Sequence, residues 1–224
     1  MIPTEPNTGP APDAIRPLKE VWLRPRRVFR ALAGQPLSVT DYALASVLGI
    51  GNYLAFYRSQ GGDTHRSIGE VLLNSLIFGP ILGVASMYLF AGIYTRLGTR
   101  AGGSSSHAAV FHVLAYGGIP VVAGLGVWGL AIMLIGNAAI FTTPNQELDG
   151  FQSVILQLEV LVYLFLWLWS VTLQVMGFSE LLAVTTGKAL RIWLLGQLLW
   201  IIALVVILLI IAILFPGLLP VTNT

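Results

Sequence analysis

Five polar residues recur through an otherwise apolar stretch in the second half of the chain: Gln152, Glu159, Tyr163, Ser170 and Gln174. Their successive spacings are 7, 4, 7 and 4 residues. At ~100° per residue these positions fall at about 0, −20, 20, 0 and 40° around a helix, which is one narrow stripe. The residues between them are mostly Leu, Val, Phe and Trp. A polar stripe against lipid is costly, so it is expected to face a helix bundle or a wet cavity. Two chemistries fit it: a polar track for a solute, a proton or a lipid headgroup, or a hydrogen-bonded seam that holds helices together. Glu159 stands apart as an acidic residue about 8 residues, or roughly 12 Å, inside its apolar stretch. The sequence places no Lys or Arg at comparable depth, so no ion-pair partner is expected. Asn52, Asn74, Tyr53 and Ser75 are the first candidates to hold its carboxyl by hydrogen bonds.

Other familiar chemistry is excluded. Gly187-Lys188 is no phosphate loop, because Leu182 stands where the partner glycine belongs and Ala189 where Ser or Thr belongs. His107 and His112 are five residues apart, on different faces of a helix, and make no zinc pair. The chain has no cysteine, which removes disulfides, thiolate ligands and thiol nucleophiles. No Ser, His and carboxylate gather at one depth, so a triad is not supported. No catalytic residue, metal or cofactor is expected.

The elements that carry the stripe follow from composition. Of 224 residues, 56% are hydrophobic and only 10% charged, against about 25% charged in a soluble domain. The mean hydropathy is +0.81. These values exclude a soluble globular enzyme, a disordered chain and a nucleic-acid binder. Five segments approach the ~20 apolar residues a spanning helix needs: 42–57, 71–95, 119–141, 151–176 and 192–215. They lack period-2 alternation and exceed strand length, which disfavours a β-barrel. The expectation is an all-α polytopic membrane protein with five transmembrane helices behind a short amphipathic interfacial segment. Pro80 and Pro120 are expected to kink their helices.

Of the 12 basic residues, all but Arg58 and Arg66 fall, in this layout, on the side of the membrane that holds the N-terminus. That bias places the N-terminus in the cytoplasm and the C-terminus outside. The layout divides into a disordered tail over 1–14, a basic membrane-surface segment over 15–40, the five-span domain over 41–218 and an external tail over 219–224. The first 40 residues contain no apolar leader core, so no cleavable leader is expected. In the surface segment Val21, Trp22, Val28, Phe29 and Leu32 alternate with Arg24, Arg26, Arg27 and Arg30. This mixture fits short helices in the headgroup zone, with the arginines on anionic lipid. Ser75, Gly79, Gly83 and Ser86 share one face of the second span, which suits close helix packing or, alternatively, a homodimer or membrane-protein contact.

Several stretches together resemble the bacterial branch of the Yip (Ypt-interacting protein) family. In order they are VWLRPRRVFRAL, FGPILGVASMYLFAGIYTRLG, the turn AGGSS, LAYGGIP with its Tyr116 and Pro120, and the run from Trp169 through MGFSELLAVTTGKAL, which carries Gly177 and Lys188. The resemblance covers about residues 16–215. It implies five spans, a cytoplasmic N-terminal segment and, for a bacterial member, the inner membrane. Eukaryotic members act in vesicle traffic and contact Rab-type GTPases. This chain lacks their long acidic N-terminal domain, so that contact does not carry over. The function implied is a non-enzymatic membrane-organising or lipid-interacting scaffold. The alternatives are a small permease or channel that uses the stripe and, more remotely, a membrane-embedded lipid enzyme.

Overall fold

The computed structural model describes residues 16–59, 68–141 and 149–214, and every regular element there is helical. The tails expected over 1–14 and 219–224, and Arg66, lie outside the described residues. In chain order the helices are α1 (Pro17–Glu20), α2 (Pro25–Leu32), α3 (Val39–Ser59), α4 (Ile68–Arg100), α5 (His107–Gly117), α6 (Ile119–Phe141), α7 (Gly150–Leu181) and α8 (Thr186–Leu214). Pro17 and Pro25 open the two short helices, where a missing N–H costs nothing. Ser106 caps α5 by accepting from the Ala109 amide at 3.1 Å. Asp149 and Gln152 close a reciprocal capping box at the start of α7.

Three helical stretches are long and apolar enough to cross a membrane: Gly69–Arg100, His107–Ile135 and Gly150–Leu181. The outward faces agree. Along α7, Leu158, Val160, Leu161, Leu164, Phe165 and Leu168 are all exposed. A continuous apolar surface of this kind belongs in lipid rather than water.

The long helices α3, α4, α8, α7 and α6 contact one another in that order, and α6 returns to α3. They therefore close a ring. Helix α5 sits inside it, against α3, α4 and α7, with residues 109–117 all buried. It plugs the end of the ring that carries Arg96, Arg100, Lys188 and Arg191, called here the basic end. Helix α2 lies across this end on α5 and α7, with Val28, Phe29 and Leu32 buried beneath it.

The tightest contact is α3 on α4. A Cβ on Gly79 would lie 2.6 Å from the Ile50 Cα, and one on Gly83 would lie 2.8 Å from the Gly49 Cα. Gly49, Gly79 and Gly83 are thus required for the two backbones to meet. Ser75 is buried in α4 and turns its hydroxyl back to the Leu72 carbonyl. This face of α4 is occupied by α3 of the same chain and is not free for a second copy.

The third expected helix, 119–141, is α6 (Ile119–Phe141), but the apolar stretch that includes its start reaches further back, through α5. That stretch starts at His107, twelve residues before the expected boundary at 119. His112 and the Gly117-Gly118 pair make this region read as a connection. The histidine is instead satisfied internally, and the glycines mark a one-residue break. Pro120 cannot donate to the Tyr116 carbonyl, so the helix interrupts there and restarts as α6.

Candidate functional site

The break between α5 and α6 forms the floor of a cavity of about 230 Å³ within the ring. Polar groups reach it from every side: Asn52 from α3, Ser86 from α4, Tyr163, Ser170 and Gln174 from α7, and Gln197 from α8. Aromatic walls come from Phe90, Trp167 and Trp193. Among the described residues no carboxylate, guanidinium, ammonium or imidazole lines this chamber; its polar lining is amide, hydroxyl, phenol and indole. A hydrogen-bonded chain runs across it. Trp193 Nε1 donates to Gln174 Oε1 at 2.9 Å, and Gln174 Nε2 donates to Ser170 Oγ at 3.3 Å. Ser170 Oγ donates to the Gly117 carbonyl at 2.7 Å, where the α5 ladder ends. Gln197 Nε2 donates to Tyr94 Oη, which itself donates to the Trp193 carbonyl, both at 3.2 Å.

A second chamber of about 120 Å³ adjoins the first on the side away from the basic end and shares Val121 and Tyr163 with it. Helices α3, α6 and α7 line it, and Gly124 leaves room for the Tyr163 ring, 3.1 Å from where a Cβ would stand. Here Arg58 Nη1 donates to Glu159 Oε2 at 3.0 Å. The side chains are 31% and 6% exposed. The expectation that Glu159 lacks an ionic partner is therefore overturned, as is its pairing with Asn52, Asn74, Tyr53 or Ser75. The physical reason is that α3 continues to Ser59, so Arg58 is helical rather than in a loop. Its long apolar stem then carries the guanidinium down to the carboxylate.

The stripe on α7 is thus divided. Gln152 is not part of the interior: its side chain accepts from the Asp149 amide in the capping box. Glu159 and Tyr163 line the second chamber, and Tyr163, Ser170 and Gln174 line the first. Ser86 joins the first chamber while bonding the Gly83 carbonyl.

Tyr116 and Pro120 are buried on either side of the helix break. Gly177 is buried where α2, α5 and α7 meet; a Cβ there would stand 2.7 Å from Val113 Cγ1 and 3.0 Å from Phe29 Cδ2. Lys188 is exposed near the start of α8 and lines neither chamber. Arg24, Arg26 and Arg27 lie at the basic end, and all three are open to solvent. Arg30 also has a partner within the protein: its Nη2 lies 2.6 Å from Glu180 Oε1, while its side chain stays 75% exposed. The apolar side of α2 is likewise committed to α5 and α7 rather than to a headgroup layer.

A buried pair escapes the sequence reading. His112 Nδ1 lies 2.6 Å from Asp41 Oδ1, with both side chains at most 2% exposed. His112 Nε2 lies 3.2 Å from the Gln35 carbonyl, which can only accept, so this nitrogen carries a proton. The Ser38 amide and hydroxyl both donate to Asp41 Oδ2 at 2.7 Å. The pair ties the start of α3 and the preceding loop to the α5 plug. Ser38-Val39-Thr40-Asp41 is a helix-start signal of the Ser-x-x-Asp kind, and it was the available pointer to this anchor.

Removing one side of the Arg58–Glu159 pair should have a modest cost. Loss of one partner from a fully buried pair costs about 3–5 kcal/mol, but Arg58 retains a path to solvent. Glu159→Leu should therefore destabilise by about 1–2 kcal/mol, the scale of interhelical polar contacts in membranes. Unfolding in mixed micelles of both single variants and Arg58→Leu/Glu159→Leu should give a coupling near ~1 kcal/mol. A coupling of zero would show that the two groups do not interact.

No family model, curated protein or solved structure matches this chain.

Proposed function

We propose that this protein is a small permease whose central chamber takes a small, uncharged, hydrogen-bonding solute. The single observation that carries this reading is the pair of adjoining chambers, which share Tyr163 and are lined along α7 by Glu159, Tyr163, Ser170 and Gln174. The first chamber has donors and acceptors without charge, which suits a neutral solute and disfavours an ion. Its volume of about 230 Å³ lies below the range for drug-sized ligands. A helix interrupted at the chamber floor is also the arrangement by which transporters expose backbone groups to a substrate. The α5 plug closes one end, and the Arg58–Glu159 pair stands at the other.

This reading has five membrane crossings: α3, α4, α5 with α6, α7 and α8. It places the basic end in the cytoplasm of a bacterium, with the protein in its inner membrane and the C-terminus outside. The support is the ring of long helices and the one-sided distribution of Lys and Arg. The Yip resemblance remains part of the proposal, and under it the chain has no catalytic role. Its scaffold role is the second reading. The observation favouring that reading is the chain Trp193, Gln174, Ser170 and Gly117, which satisfies its own polar groups as interhelical glue does.

The test is solute flux into proteoliposomes. Glycerol and urea should enter faster than in protein-free vesicles, while formate and ammonium should not. Asn52→Trp, which fills the first chamber, should remove most of the gain. Equal entry with and without protein for every neutral solute would contradict the permease reading and leave the scaffold.

A further inference from the structure

At the basic end, on the outside of the ring, the α1–α2 connection stands away from α7 and leaves an open groove of about 420 Å³. Arg24, Arg26 and Arg27 border one side, chiefly through their aliphatic stems. The other side is apolar and comes from α7, through Trp169 and Met176, with Trp22 at the connection. Among the described residues no acidic side chain forms an ion pair with these three arginines, while Arg30 next to them is engaged by Glu180. The backbone that presents them is held rigidly, because Val21, Val28 and Phe29 are fully buried.

We propose that this groove seats one anionic phospholipid, with its phosphate on Arg24, Arg26 and Arg27 and an acyl chain along Trp169 and Met176. The charge pattern argues for this occupant. Three exposed guanidiniums bordering the groove, with no carboxylate partner among the described residues, offer planar donors to phosphate oxygens. The wall beneath them belongs to a helix long and apolar enough to lie in a membrane. A headgroup and its chain satisfy both surfaces at once. A free phosphate leaves the wall bare, and a soluble acidic peptide would have to sit against a face that continues into lipid. Because α2 already spends its apolar side on α5 and α7, the arginines bind here by a defined groove rather than by insertion of the helix. The proposal is independent of the permease reading, since the groove shares no residue with either chamber.

The experiment uses the full chain in neutral detergent, with phosphatidylglycerol as the probe and phosphatidylcholine as the competitor, counted by native mass spectrometry. One phosphatidylglycerol should be retained in preference to phosphatidylcholine. Each arginine near a membrane surface changes affinity roughly fivefold, so Arg24→Gln/Arg26→Gln/Arg27→Gln should weaken retention about a hundredfold. Met176→Trp, which narrows the groove and leaves every charge in place, should also lose the retained lipid. Trp169→Leu gives a second change of the same wall if that variant folds poorly. Millimolar inorganic phosphate should fail to displace the lipid. Retention that follows only the number of arginines, is indifferent to both wall variants or is abolished by inorganic phosphate would overturn the proposal.

Discussion

Asp41→Leu should destabilise the protein by about 3–5 kcal/mol, the cost of removing one member of a buried, hydrogen-bonded charge pair. The loss has two parts. The His112 ring is left with Nδ1 unpaired where no water reaches it. The Ser38 amide and hydroxyl lose their acceptor at the start of α3. The double variant Asp41→Leu/His112→Phe removes both polar partners and should be less damaging than Asp41→Leu alone. Equilibrium unfolding of the three variants in mixed micelles checks the ordering. A double variant that is the sum of the two single variants would show that the pair is not coupled.

Gly49→Leu should be at least as damaging, at about 4 kcal/mol or more, the range reserved for gross steric conflict in a packed core. Its Cβ would fall onto the backbone of α4, at the Gly79 carbonyl and 2.6 Å from the Gly83 Cα. Backbone cannot rotate away as a side chain can, so α3 and α4 must separate and the ring opens. Gly126→Leu is the contrast. A Cβ at that position would meet nothing within 4 Å, so the variant should stay within about 0.5 kcal/mol of the parent. Thermal unfolding followed by size-exclusion chromatography separates the two. A folded, monodisperse Gly49→Leu protein would show that the α3–α4 seam is looser than its geometry requires.

The legible parts of the chain were those governed by long-range hydropathy and by period. Apolar runs located α4, α7 and α8, and the 7, 4, 7 and 4 spacing located the interior face of α7 from Glu159 onward. Helix ends were less legible. Gln152 fits the stripe by angle, yet it lies in the first turn, where capping claims its side chain. Arg58 follows the apolar run 42–57 and so reads as loop, although its helix extends to Ser59. The α5 plug was hidden because His112, two glycines and a proline are all signals against an apolar helix. What reverses them is a partner distant in sequence, Asp41, which its helix-start motif marks but does not connect to His112. The contributions of Trp193 and Gln197 to the first chamber depend on how α8 rotates against α4 and α7, and periodicity alone does not set that rotation.

Whether the chambers hold water decides between a solute path and a sealed bundle. The chain contains no cysteine, so single cysteines can be introduced on a silent background. Methanethiosulfonates react with the thiolate and so require an aqueous surrounding. Asn52→Cys, Tyr163→Cys and Gln174→Cys face the chambers, while Leu161→Cys and Phe165→Cys face outward from the same helix as Tyr163. With wet chambers, a small methanethiosulfonate labels the first three in a reconstituted bilayer and leaves the last two unmodified. Chamber positions as unreactive as the outward ones would contradict the permease, because the stripe would then be a dry seam between helices.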